Sequence, residues 1–190
     1  MAAPEQREAL LGLARLVDRW GERINLTGHR GLEAIVRRLV LDAVALAAQL
    51  PPLDSLADLG SGAGFPGLPV AILRRSCRVT LVEAHAKRHH FQRAACRELS
   101  IRNARPVLGR AEQLEPTPHA AAVAQAIAPP AEALALMLPW VESGGWVILP
   151  GAAEPPRIED SRVRLERIAR YAVPCGGPER SLWLGRRTAA

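Results

Sequence analysis

Two spacings of apolar residues divide this chain. From Glu5 to Trp20, Leu10, Leu13, Leu16 or Val17 and Trp20 recur every three or four residues, which predicts an amphipathic helix. A second run of that kind carries Leu32, Ile35, Val36, Leu39, Val40 and Ala43. It begins after Thr27-Gly-His-Arg-Gly and reaches about Leu50, where Pro51-Pro52 ends it. Beyond that point short apolar runs alternate with helical stretches. Strands are expected over 55–59, 79–82, 106–108, 121–124 and 146–149, and helices from about Gly67, over 86–99 and around 131–138. That alternation predicts a mostly parallel sheet covered by crossover helices. The tail departs from it: 157–165 reads as a helix, and 168–173 and 181–185 as two strands joined by a short Pro174-Cys-Gly-Gly-Pro178 turn. A turn that short makes its strands antiparallel, closing the parallel sheet. The expected organisation is an N-terminal helical extension, 1–52, on an α/β domain, 53–190, as one compact unit.

The first predicted strand runs into Asp58-Leu-Gly-Ser-Gly-Ala-Gly-Phe-Pro-Gly-Leu-Pro69, which holds four glycines and two prolines. Gly62-Ala-Gly64-Phe-Pro-Gly67 fits the spacing G-x-G-x-x-G, and Glu83 ends the second strand about twenty residues on. In an open α/β sheet such a turn meets a ligand with bare backbone, and an acid there accepts hydrogen bonds from ribose hydroxyls. The pair therefore indicates an adenosine ligand. A dinucleotide is disfavoured, because Pro66 removes an N–H donor where the helix should open onto a pyrophosphate. Asp58 would repel a phosphate, whereas it could orient a cation. S-adenosylmethionine, a sulfonium with an ammonium and no phosphate, suits the turn better than NAD.

Composition adds a partner and removes several classes. With 190 residues and 48% hydrophobic content, the chain can bury one core. A net charge of +6 suits a polyanion. Cys77, Cys96 and Cys175 are odd in number and widely separated, so neither a disulfide framework nor a zinc site is indicated, and a cytoplasmic protein is expected. No metal is expected, although His85 and His89 stand four apart. The N-terminus is charged where a signal peptide would be apolar, and 120–141 is broken by Gln125, Pro129, Pro130 and Glu132, so no membrane span is expected. Lys87 is the single lysine among 25 basic residues. It lies beside Arg88, His89, His90 and Arg93, a stretch suited to RNA phosphates.

These residues, taken together, resemble the bacterial 16S ribosomal RNA guanine-N7 methyltransferase family, methyltransferase G or glucose-inhibited division protein B. Trp20-Gly-Glu-Arg-Ile-Asn25-Leu-Thr27 looks like its W-N-x-x-x-N-L-T, and Arg38-Leu-Val-Leu-Asp42 like its R-H-x-x-D. The glycine turn looks like D-x-G-[ST]-G-x-G-x-P-G-[IL]-P. Glu83-Ala-His-Ala-Lys87-Arg88-His-His-Phe91 looks like [DE]-S-x-x-K-[RK]-x-x-F, Gly109-Arg110-Ala111-Glu112 like x-R-A-E, and Arg180-Ser-Leu like R-x-L. Three positions depart from the pattern. Leu39 replaces a histidine, Gln125 an arginine after the fourth strand, and Pro150 a lysine after the fifth.

The resemblance implies a Rossmann-like class I S-adenosylmethionine-dependent methyltransferase with an antiparallel last strand and N-terminal helices, working as a monomer on 16S rRNA or the small ribosomal subunit. It places Asp58, Gly60, Ser61, Gly62, Gly64, Phe65, Glu83, Ala111, Glu112 and Gln125 at the cofactor, and Asn25, Lys87, Arg88, Arg110 and Arg180 at RNA. Asn25 and Thr27 have a second reading, as a turn residue and the cap of the second helix. Guanine N7 carries a free lone pair, so transfer to it needs no general base, and no catalytic acid or base is assigned. Two alternatives stand beside this: a weakly active or inactive relative that still binds cofactor or RNA, motivated by Leu39, Gln125 and Pro150, and an NAD-dependent oxidoreductase.

Overall fold

The computed structural model describes residues 2–188. Helix α1 (Pro4–Gly21) buries the stripe Leu10, Leu13, Ala14, Leu16 and Val17. The second helical run is continuous but not uniform: α2 (Leu32–Ile35) passes through a π-helical turn (Val36–Val40) into α3 (Leu41–Gln49). It opens at Gly31 with no side-chain cap, so the capping role considered for Thr27 is not found. Thr27 Oγ1 instead accepts the His29 N–H at 3.2 Å, closing a local turn.

Seven strands follow, β1 (Ser55–Leu59), β2 (Arg78–Glu83), β3 (Ala104–Leu108), β4 (His119–Ala124), β5 (Val141–Gly151), β6 (Val163–Ala172) and β7 (Glu179–Arg187). They are interleaved with α4 (Gly67–Leu73), α5 (Ala86–Glu98) and α6 (Pro130–Met137), the last running into a single 3-10 turn, Leu138–Trp140. The sheet order is β3-β2-β1-β4-β5-β7-β6. Strands β1 to β5 are parallel, and β7 pairs antiparallel with both β5 and β6, so β7 alone runs backwards.

The helix expected over 157–165 is not formed. Pro155 and Pro156 precede it, and Asp160 folds its own backbone into a turn by accepting the Arg162 N–H at 2.9 Å. From Val163 the chain is strand β6, a charged sheet edge that forms an antiparallel hairpin with β7. Charged side chains suit an edge, since they discourage further strand pairing.

Alternation along β1 divides two cores. Leu56 joins a cluster with Leu13, Ile35, Leu46, Leu68 and Phe91, whereas Ala57 and Leu59 join one with Leu134, Met137, Trp140 and Trp183. The N-terminal helices thus share a core with α4 and α5, and α6 covers the opposite face. Trp20 meets Phe91 edge-on with centroids 5.7 Å apart, and Arg19 pairs with Glu98 at 2.8 Å, pinning α1 to α5. Polar side chains close the helix ends. Arg74 donates to the carbonyls of Ala47 and Leu50, at 2.7 Å each, and of Pro51, all at the end of α3. Asn103 Nδ2 reaches those of Ala71, in the last turn of α4, and of Arg74 and Cys77 just beyond it.

Candidate active site

The glycine turn leaves β1 at Gly60, with φ +68°, a conformation that suits glycine, and a Cβ there would stand 2.2 Å from Ile127 Cγ2. The turn is held from three sides. The Glu83 carboxylate accepts the Gly62 N–H at 2.8 Å through Oε2. Gln92 on α5 donates to Ser61 Oγ and the Gly62 carbonyl, at 2.8 Å each. Asp58 Oδ2 accepts the N–H of Gly67, the first residue of α4, at 2.8 Å. Gly67 has to be small, because a Cβ would lie 2.3 Å from Leu81 Cδ2 and 2.7 Å from Asp58 Oδ2.

Asp58 is 1% exposed. Burial raises its pKa to about 7; the Gly67 N–H opposes the rise and the charge of Glu83 adds to it. Its carboxylate is therefore an internal clamp on α4, and Asp58 is not among the residues that line a cleft. Glu83 is buried as well, and Oε1 accepts from the His85 N–H at 2.7 Å and lies 2.9 Å from His85 Nδ1.

A cleft of about 480 Å³ opens at the carboxyl ends of β1, β2 and β4. Of the sequence-assigned residues it brings together Gly60, Glu83, Ala111, Glu112 and Gln125, with Arg88 and Arg110 at its border. Ser61 and Gly62 stand behind it in the hydrogen-bonded turn, and Gly64 and Phe65 continue that turn toward α4. The Arg110 guanidinium lies 3.7 Å from Glu112. Sequence reasoning missed the apolar walls, Val82, Ile127 and Leu136, and the positioning residue Gln92. The only local signal for Gln92 was a polar residue at the spacing of Phe91, Ala94 and Ala95.

Asn25 and Lys87 are exposed, and Arg88 is half-buried. His89, counted with the basic stretch, is buried, and its Nδ1 has no partner among the described residues. Burial pushes its pKa below the usual histidine value, so it adds no charge to that surface. His85 at the start of α5 is exposed and faces Glu83 instead.

Arg180 lies elsewhere. Its Nε and Nη2 both approach Asp42 Oδ2 at 3.0 Å, and the pair lines a second cleft of about 360 Å³. Gln125 and Ala126 line both clefts. Ala126 has φ +55°, a costly conformation for a residue other than glycine, at the point where the two meet. Pro150 lines the second cleft, and Leu39 packs against the core beneath the N-terminal helices.

A parallel sheet with β7 reversed, a glycine turn after β1 and a buried acid ending β2 define a class I S-adenosylmethionine-dependent methyltransferase fold. The structure is similar to that of M. jannaschii TYW2 in complex with AdoMet, with a TM-score of 0.64 at 10% identity over 89% of this chain and 80% of that one. The family model described as rRNA small subunit methyltransferase G matches residues 6–181, and the chain belongs to that family. It is similar to ribosomal RNA small subunit methyltransferase G of Xanthomonas oryzae pv. oryzae, 40% identical over 76% of this chain and 65% of the relative. With the protein of that name from Leptothrix cholodnii it is 32% identical over 97% of this chain and 89% of the relative. The matched region thus spans just under two thirds of the Xanthomonas proteins. Among the described residues, no helix is long and apolar enough to cross a membrane.

Proposed function

We propose that the protein transfers a methyl group from S-adenosylmethionine to N7 of a guanine in 16S ribosomal RNA. The observation that carries this is the convergence of Gly60, Glu83, Ala111, Glu112 and Gln125 on one cleft at the carboxyl ends of the strands, in a chain of this family. The residues suit that cofactor. The first N–H of α4 is already taken by Asp58, which leaves no helix terminus for a pyrophosphate and disfavours NAD.

Glu83 holds the ribose. A carboxylate has about four acceptor positions, and three internal contacts leave Glu83 able to accept a ribose hydroxyl. Ala111 and Glu112 flank the adenine between Val82, Ile127 and Leu136, with Glu112 available to its amino group. Gly60, Ser61, Gly62, Gly64 and Phe65 shape the methionine end. Asp58 fixes the turn and sets a carboxylate behind it. When bound, the cofactor supplies an electrophilic methyl group on a sulfonium. The protein's task is alignment and exclusion of water, since the attacking lone pair on N7 needs no deprotonation. Lys87, Arg88, Arg110 and Asn25 would meet the RNA around the mouth.

Calorimetric titration with S-adenosylmethionine, S-adenosylhomocysteine and NAD, followed by methyl incorporation into 30S particles from a strain lacking the modification, tests this reading. Cofactor binding with incorporation at a single guanine N7 is expected. Tight NAD binding without response to the other two would sink it. Binding without incorporation would favour the second reading, a relative weakened or silenced at Leu39, Gln125 and Pro150, the last two of which line the clefts.

A further inference from the structure

The second cleft is assembled from parts far apart in sequence: Asp42 on α3, Gln125 after β4, Pro150 on β5, Tyr171 on β6 and Arg180 on β7. Its size, about 360 Å³, falls within the ~300–1,000 Å³ of small-ligand pockets. Leu149, Pro150 and Pro156 give it apolar walls, and the charged groups gather at Asp42. Asp42 is only 8% exposed, yet both guanidinium contacts from Arg180 fall on Oδ2. Oδ1 accepts no hydrogen bond among the described residues. An ionised carboxylate only accepts, so this side of the cleft selects a ligand edge that presents donors. Tyr171 brings no second charge, because burial, and then the neighbouring Asp42, raise its pKa well above the ordinary phenol value.

We propose that this cleft takes the acceptor base and that Asp42, braced by Arg180, recognises guanine through its N1–H and exocyclic amine. The inference rests on the methylation reading above and names the subsite where that reaction finds its substrate. The chemistry of the two edges makes the choice. Guanine carries two donors side by side on its Watson–Crick edge, whereas adenine places a lone pair at N1, facing the carboxylate. A grip on that edge leaves N7, on the opposite side of the ring, free for methylation. A grip on the N7 edge would block it. Gln125 and Ala126, shared by both clefts, are the partition across which donor and acceptor meet. Oδ1, the oxygen that Arg180 leaves free, accepts the two donors together, and discrimination between the bases of ~10- to 100-fold is expected, the range for a specific base-edge contact.

The test has two arms. In the first, the unmodified protein is saturated with S-adenosylhomocysteine, and saturation-transfer NMR is recorded with GMP, IMP and AMP. GMP is expected to bind most tightly, IMP, which lacks the exocyclic amine, less tightly, and AMP least. In the second, Asp42→Asn is expected to abolish that ranking and lower kcat/KM for 30S methylation by ~10- to 100-fold, while S-adenosylhomocysteine affinity changes by less than about twofold. Equal binding of GMP and AMP, or no binding of GMP, overturns the proposal, as does an Asp42→Asn variant with unchanged kcat/KM. Should that variant not fold, the base ranking on the unmodified protein decides alone. A wild type that ranks GMP first yet methylates nothing supports the subsite and removes the methylation reading.

Discussion

Asp58→Asn separates a structural clamp from a group whose charge is needed as such. In the folded protein the Asp58 carboxylate is fully buried with a pKa of about 7, against an ordinary 3.8. A folded pKa above the unfolded one means that the native state binds the proton more tightly. The stability this provides is therefore complete below about pH 3.8 and is lost as the pH rises through 7. At 1.36 kcal/mol per unit, the gap corresponds to about 4 kcal/mol across that window. Asparagine keeps an oxygen to accept the Gly67 N–H and carries no charge at any of these pH values. Urea unfolding of both proteins at pH 5, 6.5 and 8 should show the variant gaining on the wild type as the pH rises, with unchanged m values. Most of the gain should fall between pH 5 and 7. Parallel stability curves would refute the assigned burial cost, because every other titrating group is common to the two proteins. S-adenosylhomocysteine affinity at pH 8 adds a second reading: a clamp predicts a change of less than about threefold, under 1 kcal/mol.

Three further perturbations probe other parts of the molecule. Arg74→Ala removes the donors to three carbonyls at the end of α3 and should cost about 2–4 kcal/mol in urea unfolding, with Arg74→Lys recovering only part; a loss under about 0.5 kcal/mol would show that water replaces the fork. Gly60→Ala forces a side chain into φ +68° and against Ile127, so calorimetry should find cofactor affinity reduced by about tenfold or more, and an unchanged affinity would remove that turn from the site. Lys87→Ala, at an exposed position at the start of α5, should weaken RNA binding and lower the salt slope by about one, and an identical slope would take the lysine off the RNA contact surface.

What the sequence revealed depended on how local the determining contacts are. Strand β1 was legible to the residue, because five buried positions run straight into a glycine turn, and α1, α4 and α5 followed from their own spacing. The stretch 157–172 was misread as a helix in its first half. Its strand is set by pairing with β7, and its charged edge has no alternation to betray it. His89 was misassigned because a charge run ignores helical phase: it shares the inward face of α5 with Gln92, whereas Lys87 and Arg93 point outward. Five of the residues assigned to a cofactor, Gly60, Glu83, Ala111, Glu112 and Gln125, do line one cleft, since the glycine turn and Glu83 signal themselves. Asp42 and Arg180 were each noticed as part of a short motif, but their pairing spans 138 residues and belongs to the tertiary fold alone.

The glycine count itself decides little about the ligand, and the backbone donors decide more. A G-x-G-x-x-G turn serves a pyrophosphate when the N–H groups opening the next helix stay free to receive it. Here Pro66 has no N–H to offer, and the next donor, on Gly67, is consumed by a carboxylate from the preceding strand. The close approach that makes Gly67 necessary, 2.7 Å from a Cβ to Asp58, is the same approach that fills the anion position from within. The Asp58 carboxyl thus occupies, from within, the place where a dinucleotide would need its phosphate, so the turn that looks most like a phosphate cradle has no free donor to receive one. The ligand that remains compatible is the one proposed above, which would offer ribose hydroxyls to Glu83 and carry its own charge as a cation.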